Sequence, residues 1–363
     1  MKIVVTAGGQ GTKLWPYSRE HKPKQFQAIV GDTTLYTDCI TTLLKKFAPE
    51  DIFISSKRKF IKYISEQSPQ IPLRNYIIEP DVSKDRGPGE GLAFLRLSVL
   101  HPDEPFFLVQ ADCIRQPEDA FLQMIEDAGK IVEKEKRLLT GGTKATDVNI
   151  GVDYLKLGAR LESDTNQEVY EVAEFIYRGS SYKETKELIE NFHVVTHPQH
   201  YCWYPGLMLE AYKKHRPDWY EALMAIKDTF DKPGEDAAIE TIYHTMEKGP
   251  TEEVTKNIMG TPQCGVILLP FKWTDIGTWG SVYEYFVDGD GTENYADAKA
   301  VIVDTKGTFI KTSNDKKLVA VAGMEDLVII DTDDVLLVIP KDKIEKIKDI
   351  QKILHERGDQ AYL

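Results

Sequence analysis

The alternation of short apolar runs with helix-like stretches is the feature that most constrains the fold of this chain. Strands are predicted at residues 2–7, 51–55, 76–79, 105–111 and 138–142. Helices are predicted between them at 35–47, 58–65, 91–100 and 117–135. Strands that alternate with helices form parallel sheets covered on both faces. The pattern therefore predicts an α/β domain with a Rossmann-like, mostly parallel sheet.

The rest of the chain shows more strands and a change of composition. We predict strands at 168–177, 201–209 and 265–273, and helices at 183–191, 210–228 and 236–247. After a turn-rich segment at 288–291, β-like runs recur every eight to ten residues or so, at 300–304, 308–312, 317–322, 327–331 and 335–339. They indicate a small sandwich or a few rungs of a β-solenoid, followed by a charged helix at 341–354 for packing or oligomerisation. We predict two domains, 1–287 and 288–363.

A glycine-rich loop follows the first strand at once. Gly8, Gly9 and Gly11 are followed by Thr12 and Lys13, and Lys24 comes within a dozen residues. Glycines let a backbone approach a phosphate closely, and successive N–H groups form an anion-binding nest. The spacing differs from that of a P-loop and lacks the third glycine of the dinucleotide fingerprint, so a dinucleotide-dependent oxidoreductase is a minor alternative. The segment predicts a phosphate-binding corner.

Charge and cysteine content exclude several classes of function. The formal net charge of −13 argues against sequence-independent nucleic-acid binding, which needs a basic face. We see no targeting segment and no apolar run of about 18 residues, so we expect no membrane association. Cys39, Cys113, Cys202 and Cys264 form no C-x-x-C pair, which is typical of idle thiols in a reducing cytoplasm. The scattered histidines, His197 and His200 included, do not indicate a metal site.

Two aspartates end apolar runs. Asp112 follows the run at 105–111, and Asp275 follows the run at 265–273. A carboxylate at such a position either caps a helix or helps to hold Mg²⁺, which prefers oxygen ligands. From spacing alone both interpretations stay open.

Longer strings of residues resemble a known family. The segments 7–16 (AGGQGTKLWP) and 23–26 (PKQF) resemble the signature of sugar-1-phosphate nucleotidylyltransferases, in particular the mannose-1-phosphate guanylyltransferase (GDP-mannose pyrophosphorylase) branch. Matching segments follow in the family's order over nearly the whole chain, at 78–80, 108–112, 203–206, 273–279, 325–328 and 331–334.

The resemblance implies a fold, a reaction and a set of site residues. It implies a nucleotide-diphospho-sugar transferase fold with a β-helix-like C-terminal domain. Because such C-terminal domains commonly mediate dimers in this family, it also implies a homodimer. The reaction would transfer a nucleotidyl group from a nucleoside triphosphate, GTP by resemblance, to mannose 1-phosphate or a related sugar 1-phosphate. Mg²⁺ would be held by Asp112 and Asp275. Lys13, Lys24 and Arg178 would be catalytic. The nucleotide would contact Ala7, Gly8, Gly9, Gly11, Thr12, Glu79 and Pro88, and the sugar substrate Gly151 and Gly206.

The sequence departs from the family pattern in the segments that contact the sugar and the base. Arg178 stands for the lysine of F-x-E-K-P, Tyr204 and Pro205 replace the middle of W-N-S-G, and the segment 84–89 replaces R-N-T-A-P-A. Lys13 replaces an arginine of the family motif, so the positive charge at this position is retained. These changes predict a different sugar or nucleotide. The alternative is a catalytically degenerate regulatory subunit that binds nucleotide sugars.

Overall fold

The fold is described from a computed structural model, which covers residues 1–9, 11–146, 148–178, 181–287 and 291–363. In these ranges the strands are β1 (Lys2–Thr6), β2 (Ile52–Lys57), β3 (Tyr76–Glu79), β4 (Phe106–Gln110), β5 (Cys113–Gln116), β6 (Leu138–Lys144), β7 (Tyr154–Leu161), β8 (Val169–Ile176), β9 (Val194–Thr196), β10 (Tyr201–Trp203), β11 (Cys264–Leu268), β12 (Lys272–Asp275), β13 (Tyr295–Asp297), β14 (Lys299–Val303), β15 (Phe309–Thr312), β16 (Leu318–Ala322), β17 (Leu327–Asp331) and β18 (Leu336–Pro340).

The α-helices in the same ranges are α1 (Leu35–Leu44), α2 (Ile61–Gln67), α3 (Arg86–Leu100), α4 (Glu118–Glu135), α5 (Tyr182–Asn191), α6 (Pro205–His215), α7 (Pro217–Lys227), α8 (Glu235–Thr245), α9 (Glu252–Thr255), α10 (Trp279–Phe286) and α11 (Ile347–Arg357). Short 3₁₀ helices include Thr12–Leu14, Lys24–Phe26 and Lys341–Lys346. Among the described helices, none combines the length and the apolar character needed to cross a membrane.

The chain forms two compact units, and each is assembled from three separate segments of the sequence. Unit 1 holds Met1–Gly8, Thr42–Gln110 and Arg115–Trp273. Unit 2 holds Gly9–Thr41, Ala111–Ile114 and Thr274–Leu363. The domain boundary predicted at 287/288 adjoins residues 288–290, which lie outside the described residues, and it stays a prediction.

Unit 1 is built on a ten-stranded mixed sheet in the order β11-β8-β7-β9-β6-β10-β4-β1-β2-β3. The four strands β4, β1, β2 and β3 are all parallel, as the alternation of strands and helices predicts. β1 and β4 are almost wholly buried because their apolar runs are covered on both faces. In the other half most neighbours are antiparallel, including β10 against both β4 and β6. The α/β class is confirmed, with a mixed sheet.

The described part of unit 2 contains parallel strands stacked as rungs. β13 pairs with β15 and β15 with β17, while β14 pairs with β16, all in parallel. Parallel pairing between every second short strand identifies the appendage as a β-solenoid rather than a sandwich. Its core joins Phe309, Val328 and Ile330 to Trp279 and to Trp15 from the N-terminal loop. This segment of the N-terminus is therefore part of the core around the C-terminal strands.

Several predicted elements are wrong in extent. The strand predicted at 201–209 ends at Trp203, and α6 begins at Pro205, because proline favours the first position of a helix. The helix predicted at 210–228 is broken at Arg216, before Pro217 starts α7. The helix predicted at 341–354 is a 3₁₀ segment followed by α11. β7 had not been predicted.

Candidate functional site

The buried side chain of Lys24 is the centre of a charge cluster in unit 2. Its Nζ lies 2.9 Å from Asp112 Oδ2 and 3.3 Å from Asp275 Oδ1. It also donates a hydrogen bond of 2.8 Å to the carbonyl oxygen of Ile276. The lysine side chain is only 9% exposed. Three predicted site residues, separated by as many as 251 positions, thus meet in one place.

The charges of this cluster perturb one another. Burial acts to lower the pKa of Lys24, but the carboxylates of Asp112 and Asp275 raise it above its ordinary value. Burial raises the pKa of Asp275; Lys24 opposes this shift and Asp112 adds to it. One ammonium group therefore faces two carboxylates, and the three groups together carry a net negative charge. Such a cluster attracts a further cation.

Gly11 is required by the packing of Lys24. Its φ of +57° lies in the left-handed region, where glycine is favoured. A Cβ at this position would lie 2.7 Å from Cγ and 3.0 Å from the backbone nitrogen of Lys24. The amide of Gln25 donates a 2.9 Å hydrogen bond to the carbonyl oxygen of Gly9. The glycine loop is thus held directly against the Lys24–Phe26 turn.

The C-terminal helix also contacts the glycine loop within unit 2. The amide of Gln351 donates a 3.0 Å hydrogen bond to the carbonyl oxygen of Thr12. The Lys13 ammonium lies 3.6 Å from Glu345, and its side chain is 48% exposed. Lys13 therefore keeps an accessible positive charge beside the loop. The sequence carries no signal for these contacts, since 339 residues separate Gln351 from Thr12.

In unit 1 the predicted nucleotide residues lie at the carboxyl ends of β1 and β3. Ser55 Oγ donates a 3.0 Å hydrogen bond to Glu79 Oε1. A Cβ on Gly8 would lie 3.3 Å from Glu79 Oε1, and one on Gly89 would lie 2.7 Å from Oε2. Ala7 accepts a 3.0 Å hydrogen bond from Ser56, and Pro88 is buried in α3. The structure brings Gly8, Glu79 and the start of α3 together.

The predicted sugar residues divide between two ends of the sheet of unit 1. The backbone nitrogen of Arg178, after β8, donates a 3.0 Å hydrogen bond to Asp153, and exposed Gly151 lies two residues before Asp153. Gly206 follows β10, whose last residue, Trp203, pairs with Phe106 at the amino end of β4. Gly206 therefore lies toward the amino end of β4, whereas the other predicted site residues of unit 1 lie at carboxyl ends of strands. The candidate site does not include Gly206.

Sequence reasoning missed a buried polar network in unit 1. Arg86 donates hydrogen bonds to both carboxylate oxygens of Glu252, at 2.6 Å for Oε2. Burial would raise the pKa of Glu252, but the charge and hydrogen bond of Arg86 bring it below its ordinary value. Ligand atoms of Asp153, His197 and Glu252 all lie within 4.8 Å of one another. The residues come from separate parts of the chain, so their spacing carries no motif.

A family model described as Nucleotidyl transferase matches residues 2–289. The chain belongs to the nucleotidyl transferase family. A second model, described as a MannoseP isomerase/GMP-like beta-helix domain, matches residues 298–354. These matches confirm the family inferred from the motifs and the β-helix-like character of the C-terminal segment.

Named relatives match this nucleotidyl transferase over almost its whole length. The mannose-1-phosphate guanylyltransferase of Escherichia coli is 28% identical over 371 residues, covering 99% of this chain and 75% of the relative. The alginate biosynthesis protein AlgA of Pseudomonas aeruginosa is 25% identical, covering 98% and 72%. A crystal structure described as mannose-1-phosphate geranyltransferase from Thermus thermophilus superposes with a TM-score of 0.83 at 24% identity, covering 98% and 99%. This last likeness supports the fold.

Proposed function

We propose that this nucleotidyl transferase transfers the guanylyl group of GTP to mannose 1-phosphate, in a Mg²⁺-dependent reaction that yields GDP-mannose and pyrophosphate. The observation that carries the proposal is the buried ammonium of Lys24 between Asp112 and Asp275. The E. coli guanylyltransferase, which is similar along 99% of this chain, supports GTP and mannose 1-phosphate over the different sugar or nucleotide that the altered segments predict.

The reaction joins two anions, so neutralising charge is the main task of the site. A phosphate oxygen of the sugar 1-phosphate attacks the α-phosphorus of the nucleotide, and the bond from that phosphorus to the bridging oxygen of the β-phosphate breaks. Pyrophosphate leaves with the electron pair of that bond. No covalent enzyme intermediate is needed, and the rate comes from orientation and electrostatic stabilisation.

The residues present fit a magnesium ion. Asp112 and Asp275 supply hard oxygen ligands, and their joint charge exceeds that of Lys24. When bound, Mg²⁺ would neutralise phosphate oxygens and draw the α-phosphate toward these carboxylates. Lys24 would hold the carboxylates in place and add positive charge beside the transferred group.

The remaining site residues would bind the substrates. Backbone N–H groups of Gly9, Gly11 and Thr12 would contact the phosphates, with the accessible ammonium of Lys13. In unit 1 we assign nucleotide contacts to Ala7, Gly8, Glu79 and Pro88, and sugar-phosphate contacts to Gly151 and Arg178. The Arg178 guanidinium is 42% exposed and thus accessible to a phosphate.

A pyrophosphate-release assay tests the proposal. The full chain is incubated with each of four nucleoside triphosphates and a set of sugar 1-phosphates, with Mg²⁺ or with EDTA. We expect the fastest release with GTP and mannose 1-phosphate and none with EDTA. A different preferred pair would contradict the assigned substrates but would still support nucleotidyl transfer to a sugar 1-phosphate. No release with any pair would contradict the reaction and favour the regulatory alternative.

Two variants test whether the activity depends on the cluster of Lys24, Asp112 and Asp275. Asp112→Asn removes one charge without changing size, and we expect kcat/KM to fall by about 10²-fold or more, by analogy with the loss of one stabilising group in other sites. Asp342→Asn, at a carboxylate that is 71% exposed in the same unit, is the matched control and should keep full activity. Equal activities of the two variants would overturn the assignment of Asp112.

We also propose a cytoplasmic location and a homodimer. Cys39, Cys113, Cys202 and Cys264 are buried and form no disulfide bond with one another, which supports a reducing compartment. Exposed Val301, Val303 and Leu318 on the β14–β16 sheet support self-association of this surface. Light scattering after size-exclusion chromatography should give twice the mass of one chain, and a monomer at micromolar concentration would contradict the dimer.

A further inference from the structure

Two strand ends in unit 1 meet beside the short helix α9. Asp153 immediately precedes β7, His197 immediately follows β9, and the antiparallel pairing of Tyr154 with Thr196 makes these two residues neighbours. Glu252 begins α9. All three side chains are buried, with residue exposures of 2%, 4% and 1% in chain order. Their ligand atoms lie within 4.8 Å of one another.

Hydrogen bonds determine the tautomer of His197. Thr140 Oγ1 donates its proton to the carbonyl oxygen of His200, at 3.0 Å. The same oxygen lies 2.7 Å from His197 Nε2. With its own proton directed to His200, it is assigned as the acceptor of the Nε2–H proton of the imidazole. The His197 side chain is buried, and burial favours the neutral form of its ring. The other nitrogen, Nδ1, therefore presents a bare lone pair.

Two buried acceptor atoms of this cluster have no hydrogen-bond donor among the described residues. They are His197 Nδ1 and Asp153 Oδ2. Oδ1 of the same aspartate accepts from the backbone nitrogen of Arg178, so only Oδ2 is unsatisfied. Burying an acceptor without a partner is unfavourable, because the atom loses its hydrogen bonds to water and gains none in the protein. Atoms of this kind demand a cation or a donor between them.

The neighbouring charges leave the cluster able to take a cation. Arg86 forms hydrogen bonds with Glu252 and lies 3.8 Å from Glu90 Oε1, so its single charge is shared between two carboxyl groups. The Arg178 guanidinium, 3.6 Å from Asp153, is partly exposed to solvent. Each carboxylate oxygen has two lone pairs, so Glu252 can ligate while it accepts from Arg86. Glu252 also lines a surface cleft of about 580 Å³.

We propose that Asp153, His197 and Glu252 form a binding site for a divalent transition-metal ion of the Zn²⁺ class. One imidazole nitrogen and two carboxylate oxygens match the ligands of such ions, whereas Mg²⁺ prefers oxygen alone. A metal-bound histidine usually donates its second ring N–H to a neighbouring group, as His197 donates to Thr140. Bound metal would join the start of β7, the end of β9 and α9. Metal binding at these three residues does not require the proposed reaction, although Asp153 also accepts a hydrogen bond from the backbone nitrogen of Arg178.

Cobalt titration tests this site without reference to activity. The full chain is stripped with EDTA, dialysed and titrated with Co²⁺ in an excess of Mg²⁺, which saturates sites made only of oxygen. We expect one Co²⁺ per chain, with visible d–d absorption that Zn²⁺ abolishes by competition. Asp153→Asn and His197→Gln should weaken binding at least tenfold. Asp112→Asn, in unit 2, should bind Co²⁺ like the wild type.

Three results would overturn the proposal. Absence of stoichiometric uptake by the wild type would mean that a water molecule satisfies the two acceptors. Uptake unchanged in Asp153→Asn would place the metal elsewhere, and uptake lost in Asp112→Asn would place it in unit 2. Circular dichroism verifies the fold of each variant. Asp153→Asn, which preserves side-chain volume, decides the test if His197→Gln does not fold.

Discussion

Replacing Gly11 by alanine should affect Lys24 directly, and Gly31→Ala offers a matched control. Both glycines belong to unit 2 and have positive φ, +57° and +75°. The left-handed conformation costs an alanine about 1–2 kcal/mol at either position. Only at Gly11 does the added methyl group meet another residue, because no heavy atom lies within 4 Å of a Cβ at Gly31. The pair therefore separates backbone strain from displacement of Lys24.

The size of the displacement follows from the contact distances. The new methyl group would lie 2.7 Å from Lys24 Cγ, whereas carbon atoms pack at about 3.5–4.0 Å. Lys24 must therefore move by roughly 1 Å, and a shift of that size in a positioning group can cost about 10²-fold in rate. We expect kcat/KM for pyrophosphate release to fall by one to two orders of magnitude in Gly11→Ala and by less than about threefold in Gly31→Ala.

Stability measurements complete this comparison. Urea denaturation should show both variants destabilised by about 1–2 kcal/mol from the left-handed strain, with a larger loss for Gly11→Ala because of the contact with Lys24. If Gly11→Ala retains full activity, or if Gly31→Ala loses as much activity, the argument that Gly11 positions Lys24 is refuted.

Further predictions concern unit 1. A methyl group on Gly87 would overlap the ring of Trp219 and lie 2.7 Å from the carbonyl oxygen of Gly249, so Gly87→Ala should destabilise the protein by about 3 kcal/mol in urea denaturation. Gly206→Ala, with open space around it in α6, should stabilise it by up to about 1 kcal/mol, and equal effects of the two would contradict the packing argument. Burial, with a contribution from the charge of Arg115 and the neighbouring His197, lowers the pKa of His200 well below 6.5. The unfolded chain then binds a proton that the folded chain does not, so stability should decrease as the pH falls below about 6.5, with a shallower decrease in His200→Gln; identical slopes would refute this assignment.

Much of the fold could be predicted from local patterns. Residues 106–109 of β4 form a continuous apolar run, and such runs form strands covered on both faces. The spacing of the C-terminal runs predicts an all-β appendage, but not whether it is a sandwich or a solenoid. The choice depends on the parallel pairing of β13, β15 and β17, which a local pattern does not encode.

The residues of the candidate site were likewise predicted only in part from the sequence. The motif residues Lys24, Asp112 and Asp275 were chosen from the sequence, and they meet in the structure. Gly206 was chosen by the same kind of match, yet it lies toward the amino end of β4 because β10 runs antiparallel to that strand. A short motif identifies a residue type in its order along the chain, but strand direction decides the end of the sheet at which that residue lies.

The sequence by itself determined the family and the α/β class, because each depends on neighbouring residues or on the order of motifs. It also predicted that the glycine loop binds phosphate, which stays a prediction. Only the tertiary structure decided that the glycine loop, Asp112 and the C-terminal strands form one unit. It also decided that Asp112 and Asp275 share one buried ammonium, and that Asp153, His197 and Glu252 converge. The physical reason is that burial and charge pairing depend on contacts between residues far apart in the chain, and local patterns carry no record of those contacts.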